Sequence, residues 1–201
     1  MQGHADVPLD EVGLEQARRA ARVLAGLVPT AIVASDSVRA METAAALTEI
    51  TGIVPRYDER LRETHLGDWE GRTDTEVKAQ FPQEWMDWHN DSLDSRPPGG
   101  EARSDVALRV VKCINEALDG LKDDRATLVV VSHGAALRMG MASLLGLPHD
   151  RWSALGGFAN CAWSVLTEAS DPITGEPVAG RWRLTEHNAG SLPDVVLSDD
   201  K

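Results

Sequence analysis

Long apolar runs are missing from this chain of 201 residues. Nothing in it approaches the roughly 18 consecutive apolar residues of a membrane span, and its first residues do not read as a secretory leader. Cysteine is scarce. Cys113 and Cys161 cannot make a disulfide framework and lack metal-ligand spacing, so a reducing, cytoplasmic setting is expected. Positive charge is scarce too: 20 Lys and Arg stand against 32 Asp and Glu, a net charge of −12 with no basic block. That composition argues against a nucleic-acid partner, whose grip depends on neutralising phosphates. It leaves open a small phosphorylated substrate, which needs only local positive charge. Aromatic residues make up 4% of the chain, and the six tryptophans read as core and lid packing rather than a base-stacking platform. No Walker loop, dinucleotide fingerprint or G-x-S-x-G elbow is present. His65, His89, His149 and His187 are scattered without the close spacing of a helical zinc site, so no metal is expected.

What is present is an alternation of helical and extended patterns. Leu14, Ala17, Ala21, Leu24 and Val28 recur at helical spacing, predicting a helix from Glu11 to about Gly26 that Pro29 stops. Ala31–Ser35 reads as a short buried strand, and Arg39–Ile50 as a helix with Gly52 as its end cap. Thr73 with Glu76 three residues on is a capping-box signature. The stretch Pro82–Glu101 carries Trp85, Trp88 and Pro97-Pro98-Gly99-Gly100, and reads as an irregular insertion or lid. Ser104–Leu121 is the clearest helix. Thr127–Val131 is apolar on both faces, as in a central strand covered on each side, and a helix follows from about Ala135 to Leu145. Two late strands are expected at Ala162–Thr167 and Arg181–Thr185, and a polar tail after Ser191. The pattern predicts one α/β domain over residues 1–190, a three-layer α/β/α sandwich. Ligands in such sheets bind at the carboxyl ends of strands, which points to Ser35–Arg39 and Ser132–Gly134.

His133 sits where an apolar strand gives way to a helix. It reads as a phosphate ligand or general acid/base, or as a strand-end histidine bonded to backbone. Arg39 could offer its planar donor fork to a phosphate, or be an ordinary charge in a first helical turn. Glu63, in the charged run Arg60–Gly71, could donate a proton, or belong to a solvated loop anchored by its leucines.

Taken together, the segments resemble the histidine phosphatase superfamily, also called the phosphoglycerate mutase-like family. The stretches that carry the resemblance are Gln2–Leu9 with Gly13 and Gln16-Ala17; Ser35-Asp36 with Arg39-Ala40 and Thr43-Ala44; Leu61-Arg62-Glu63 with Gly67 and Trp69-Glu70-Gly71; Pro98–Glu101; and Ser132–Gly134. The stretches Arg60–Gly71, Trp152–Trp163 and Arg181–Asn188 are most similar to actinobacterial phosphatases acting on glucosyl-3-phosphoglycerate. The resemblance implies a phosphatase for a small phosphomonoester, a sugar phosphate or phosphoglycerate derivative, working through a phosphohistidine. It assigns His133 and Arg39 to the phosphoryl oxygens and Glu63 to proton transfer, with Gln2, Gly3 and the Gly134 backbone bordering the substrate. A positive pocket would do the neutralising, so no cofactor or metal is implied. Self-association is common among such proteins, although no residue here establishes a homo-oligomer.

The family's nucleophile lies in an Arg-His-Gly motif ending a first apolar strand, and that strand does not occur in this chain. His4 matches a loop position after the motif and His133 matches the second histidine. The expectation is therefore a fold lacking the first strand, with Met1 an internal methionine and residues 1–201 inactive alone. Phosphoglycerate mutase-type transfer and a non-catalytic phosphate-binding or partner-binding relative remain as alternatives.

Overall fold

The computed structural model describes residues 2–90, 94–123 and 125–191. The tail expected after Ser191 lies outside them. Helix α1 (Glu11–Ala25) starts where the Asp10 carboxylate caps the Gly13 amide, and it buries Ala17, Ala20 and Ala21. Strand β1 (Ala31–Ala34) follows, and then α2 (Val38–Thr51), which ends as predicted on Gly52 at φ +73°. Strand β2 (Arg56–Tyr57) is brief. Helices α3 (Asp74–Gln80) and α4 (Pro82–His89) come next, and then α5 (Arg103–Asp119), β3 (Leu128–Val131) and α6 (Gly134–Leu144). Strands β4 (Trp163–Ser170) and β5 (Pro177–Ala189) form an antiparallel hairpin longer than its apolar core suggested.

The parallel sheet runs β2-β1-β3, with Ala31–Ala34 paired to Leu128–Val131 in register. Side chains alternate across it, and the two faces feed two cores. Val33, Leu128 and Val130 pack with Val106, Val110 and Met139 of α5 and α6. Ile32, Val129 and Val131 pack with Ala17, Ala21 and Leu47 of α1 and α2. This is the expected sandwich, and it explains why β3 is apolar on both faces. Burying side chains such as Leu61, Val106 and Val110, all 0% exposed, contributes about 1.5–3 kcal/mol each.

Two expectations need correction. Among the described strands, β1 is central and β3 lies at the edge of the parallel sheet, its residues only half-buried. Residues 82–89 are not irregular: Pro82 opens a regular helix at N1, where its missing N–H costs nothing. Trp88 packs against the core. It meets the fully buried Trp69 edge-on at 6.0 Å and lies under the Arg103 guanidinium at 4.2 Å.

Candidate active site

The chain turns sharply after β1 and β3, and both turns meet at the carboxyl end of the sheet. Ser35, fully buried at the end of β1, places its hydroxyl 3.0 Å from His133 Nε2. Ser37 Oγ lies 3.1 Å from the same nitrogen. His133 is 9% exposed. Burial, with Arg39 and Arg109 nearby, pushes its imidazole down to about 3, so it is neutral at physiological pH.

In front of this pair lies a cleft of about 140 Å³. Ser37, Arg39, Arg62 and Glu63 form one side of its wall; Gly3, His4 and Asp6 form another. A wider hollow of about 380 Å³ on the β4–β5 hairpin, lined by Arg181, Trp182 and Arg183, gathers no histidine or carboxylate. The chemistry therefore concentrates in the smaller one.

Each charged group in the cleft has a partner. Arg39 donates to the carbonyls of Ala5 at 2.7 Å and Gly3 at 3.0 Å. Asp6 accepts from the Val38 amide at 2.7 Å, capping α2 where Ser37 makes no side-chain cap. Arg62 grips Asp36 with two hydrogen bonds of 2.7 and 2.5 Å, holding that carboxyl below its ordinary range. Glu63 is docked on the N-terminus of α6: Oε1 accepts from Ala136 at 3.0 Å and Thr64 at 2.8 Å, and Oε2 from Ala135 at 3.1 Å.

Arg39 and Glu63 thus share a cleft, and His133 stands behind its wall through Ser37. Gly3 belongs to the wall as well. Its φ of +51° favours glycine, and a Cβ there would push aside the Glu70 carboxylate, 2.3 Å away. Gln2 is solvent-exposed and Gly134 opens α6, and neither lines the cleft. The expected positive pocket is also corrected: among the described lining residues, Arg39 and Arg62 face Asp6, Asp36 and Glu63. Among the described residues no cluster of His, Cys, Asp or Glu is placed to hold a metal ion, and no helix is long and apolar enough to cross a membrane.

Three groups escaped the sequence analysis. His4, dismissed as a loop residue, lines the cleft, with Nε2 donating to the Glu63 carbonyl at 2.8 Å and its ring 4.8 Å from that of His65. Arg109, one polar residue in an amphipathic helix, reaches the backbone under Glu63. Glu101 pairs with it, and burial that would raise its carboxyl is outweighed by Arg109 and the His65 amide, which hold it low. The glycines beside these groups carried a legible signal. Gly67 and Gly100 sit where two backbones cross, with a Cβ at Gly67 falling 2.1 Å from the Pro98 carbonyl and one at Gly100 falling 2.5 Å from that of His65.

Residues 1–184 match the model of the histidine phosphatase superfamily, branch 1. A glucosyl-3-phosphoglycerate phosphatase of Mycolicibacterium vanbaalenii is 42% identical over 199 residues, covering 95% of this chain and 88% of the relative. A probable phosphoglycerate mutase of Yersinia pestis is 31% identical over 172 residues, covering 86% and 79%. The native structure of a mycobacterial glucosyl-3-phosphoglycerate phosphatase superposes with a TM-score of 0.83 at 41% identity, covering 94% of this chain and 92% of that one.

Proposed function

We propose that this chain, which belongs to the histidine phosphatase superfamily, forms the cleft between Arg39, Arg62 and Glu63 in which a small phosphomonoester, glucosyl-3-phosphoglycerate, is hydrolysed once a strand ending in Arg-His-Gly supplies the attacking histidine. The observation that carries this reading is the convergence of two guanidiniums, a carboxylate and a buried neutral imidazole at one end of the sheet. The 42% identity to a phosphatase of that name favours the substrate.

Arg39 turns its fork from the Gly3 and Ala5 carbonyls to the phosphoryl oxygens, and His133, being neutral, offers an N–H rather than a full charge once its Nε2 turns from Ser35 and Ser37. A histidine nitrogen attacks phosphorus as the ester P–O bond breaks, and Glu63 gives its proton to the leaving oxygen. Water then attacks the phosphorus as the P–N bond breaks and the imidazole leaves, giving a proton to Glu63 and releasing inorganic phosphate. The first step needs one Glu63 oxygen freed from the α6 amides that hold it here.

The attacking histidine is neither of the two at the cleft. His133 matches the family's second histidine, and His4 a loop position after the Arg-His-Gly motif. Residues 1–201 alone then bind a phosphomonoester without turning it over.

The test assays phosphate release from glucosyl-3-phosphoglycerate by residues 1–201 and by the same chain with a strand ending in Arg-His-Gly fused ahead of it. Release only by the fused protein is expected. Release by residues 1–201 that survives His4→Ala and is lost in folded His133→Ala would make His133 the nucleophile. No release by either protein would leave a phosphate-binding relative without catalysis. The second reading, mutase-type transfer, rests on the 31% identity to a probable phosphoglycerate mutase. It is recognised by phosphate passing to an acceptor hydroxyl instead of water.

A further inference from the structure

Residues 62–66, which carry Arg62 and Glu63, lie outside every helix and strand. No ladder of backbone bonds fixes them, yet Glu63 must meet α6 within a few tenths of an ångström. We infer that Arg109 is a positioning residue which, with Glu101, holds the Glu63 carboxylate on α6 and so sets the geometry of the cleft. The inference rests on the proposed phosphatase reading for its functional meaning, although its geometry stands apart from it.

Arg109 has five N–H donors, and the structure uses all five. Nε and Nη2 grip the two Glu101 oxygens at 2.8 and 2.9 Å. Nη1 donates to the carbonyls of Arg60 and Arg62, both at 2.7 Å, and Nη2 also donates to that of Glu63 at 3.0 Å. Three carbonyls on one short stretch are thereby drawn to a planar fork standing on α5. Glu101 fixes the fork from the other side and also accepts the His65 amide at 2.9 Å, while its own amide donates to the His65 carbonyl at 2.9 Å. The pair is mostly buried, at 17% and 25% side-chain exposure, so screening by water is weak.

A lysine keeps the charge of Arg109 but cannot span five acceptors, since an ammonium has three donors and no planar fork. Arg109→Lys therefore separates geometry from charge, and Glu101→Gln separates the grip on the fork from the fork itself. Both are tested in the 201-residue chain by amide hydrogen exchange at Ala135 and Ala136, the donors to Glu63, with Ala20 and Ala21 of α1 as distant controls. Binding of orthovanadate supplies the functional readout.

In both variants exchange at Ala135 and Ala136 rises about 10-fold while the α1 amides keep their rates, and orthovanadate affinity falls about 10-fold. Unchanged exchange at Ala135 and Ala136 in a folded Arg109→Lys overturns the inference. Acceleration shared by the α1 amides overturns it too, because the pair would then support the whole fold. Should Arg109→Lys fail to fold, Glu101→Gln decides by the same amides. If the unaltered chain does not bind orthovanadate, the phosphatase reading fails, and the exchange result still judges Arg109.

Discussion

The cleft wall and the helical arm of residues 73–90 are both rich in charged and ring-bearing side chains, but their bonds differ in range. In the arm, Thr73 and Glu76 cap each other, Trp85 Nε1 donates to Asp74 eleven residues back, and His89 bonds and stacks on Trp85. In the cleft, Arg39 reaches back 34 and 36 residues, Glu63 reaches forward 72 and 73, and His133 meets a serine 98 residues away. The arm is a local object that a short sequence window specifies. The cleft exists only once α2, α5, α6 and the residue 2–9 loop have closed on one another.

Substitutions that respect or cross this division test it. The largest effect is expected on catalysis in the active protein. Glu63→Gln should lower the phosphatase rate about 10²–10⁴-fold and Arg39→Ala about 10²–10³-fold, measured as kcat/KM. Asp74→Ala in the arm should stay within about 2-fold. Equal losses at Asp74 and Arg39 would erase the distinction.

Acid should strike the cleft next. His133 is held down to about 3 when folded and returns to about 6.5 when unfolded, so the unfolded chain binds the extra proton between those values. Its stabilisation is complete above about pH 6.5 and fades as pH falls towards 3. The loss at pH 4.5 should be about 2–3 kcal/mol. Asp36, lowered by Arg62, adds its own loss as pH falls through the ordinary carboxylate range and below it. Urea unfolding of the chain and of His133→Gln across pH 4–8 checks this, and the variant should have the flatter profile.

Gly67→Ala would drive a methyl into the Pro98 carbonyl at a φ of +52°. It should cost about 2 kcal/mol, read as a fall in Tm. The smallest change is expected from Thr73→Ala, about 1 kcal/mol through the lost cap. Exchange should quicken at the start of α3 and stay the same at Ala135 and Ala136. A response at those two amides would show the arm coupled to the cleft.

This division also explains what could be read in advance. The α2 stop at Gly52, the Thr73–Glu76 cap and the two-faced strand β3 are local or periodic signals, and all three are present. His133 was legible because an apolar strand ends beside it. Arg109 was not, since a polar residue on the half-buried side of α5 has no marker until the fold brings Arg60, Arg62 and Glu63 to it. Helix α4 was obscured by the Pro-Gly run that follows it, although Pro82 at its first position was the correct sign.

The backbone crossing at Gly67 and Gly100 has a wider consequence. The Asp68 amide donates to the Pro98 carbonyl at 2.9 Å, so the chain leaves and rejoins the scaffold at nearly one point. The stretch between returns to its start, with Trp69 and Val77 buried along the way, and the closure cost of such a loop grows only slowly with length. Its exposed outer turns can change character while the crossing holds Glu63 and Glu101 at their separation, provided that Glu70 keeps its bond to the His4 amide and Trp88 its place against the core.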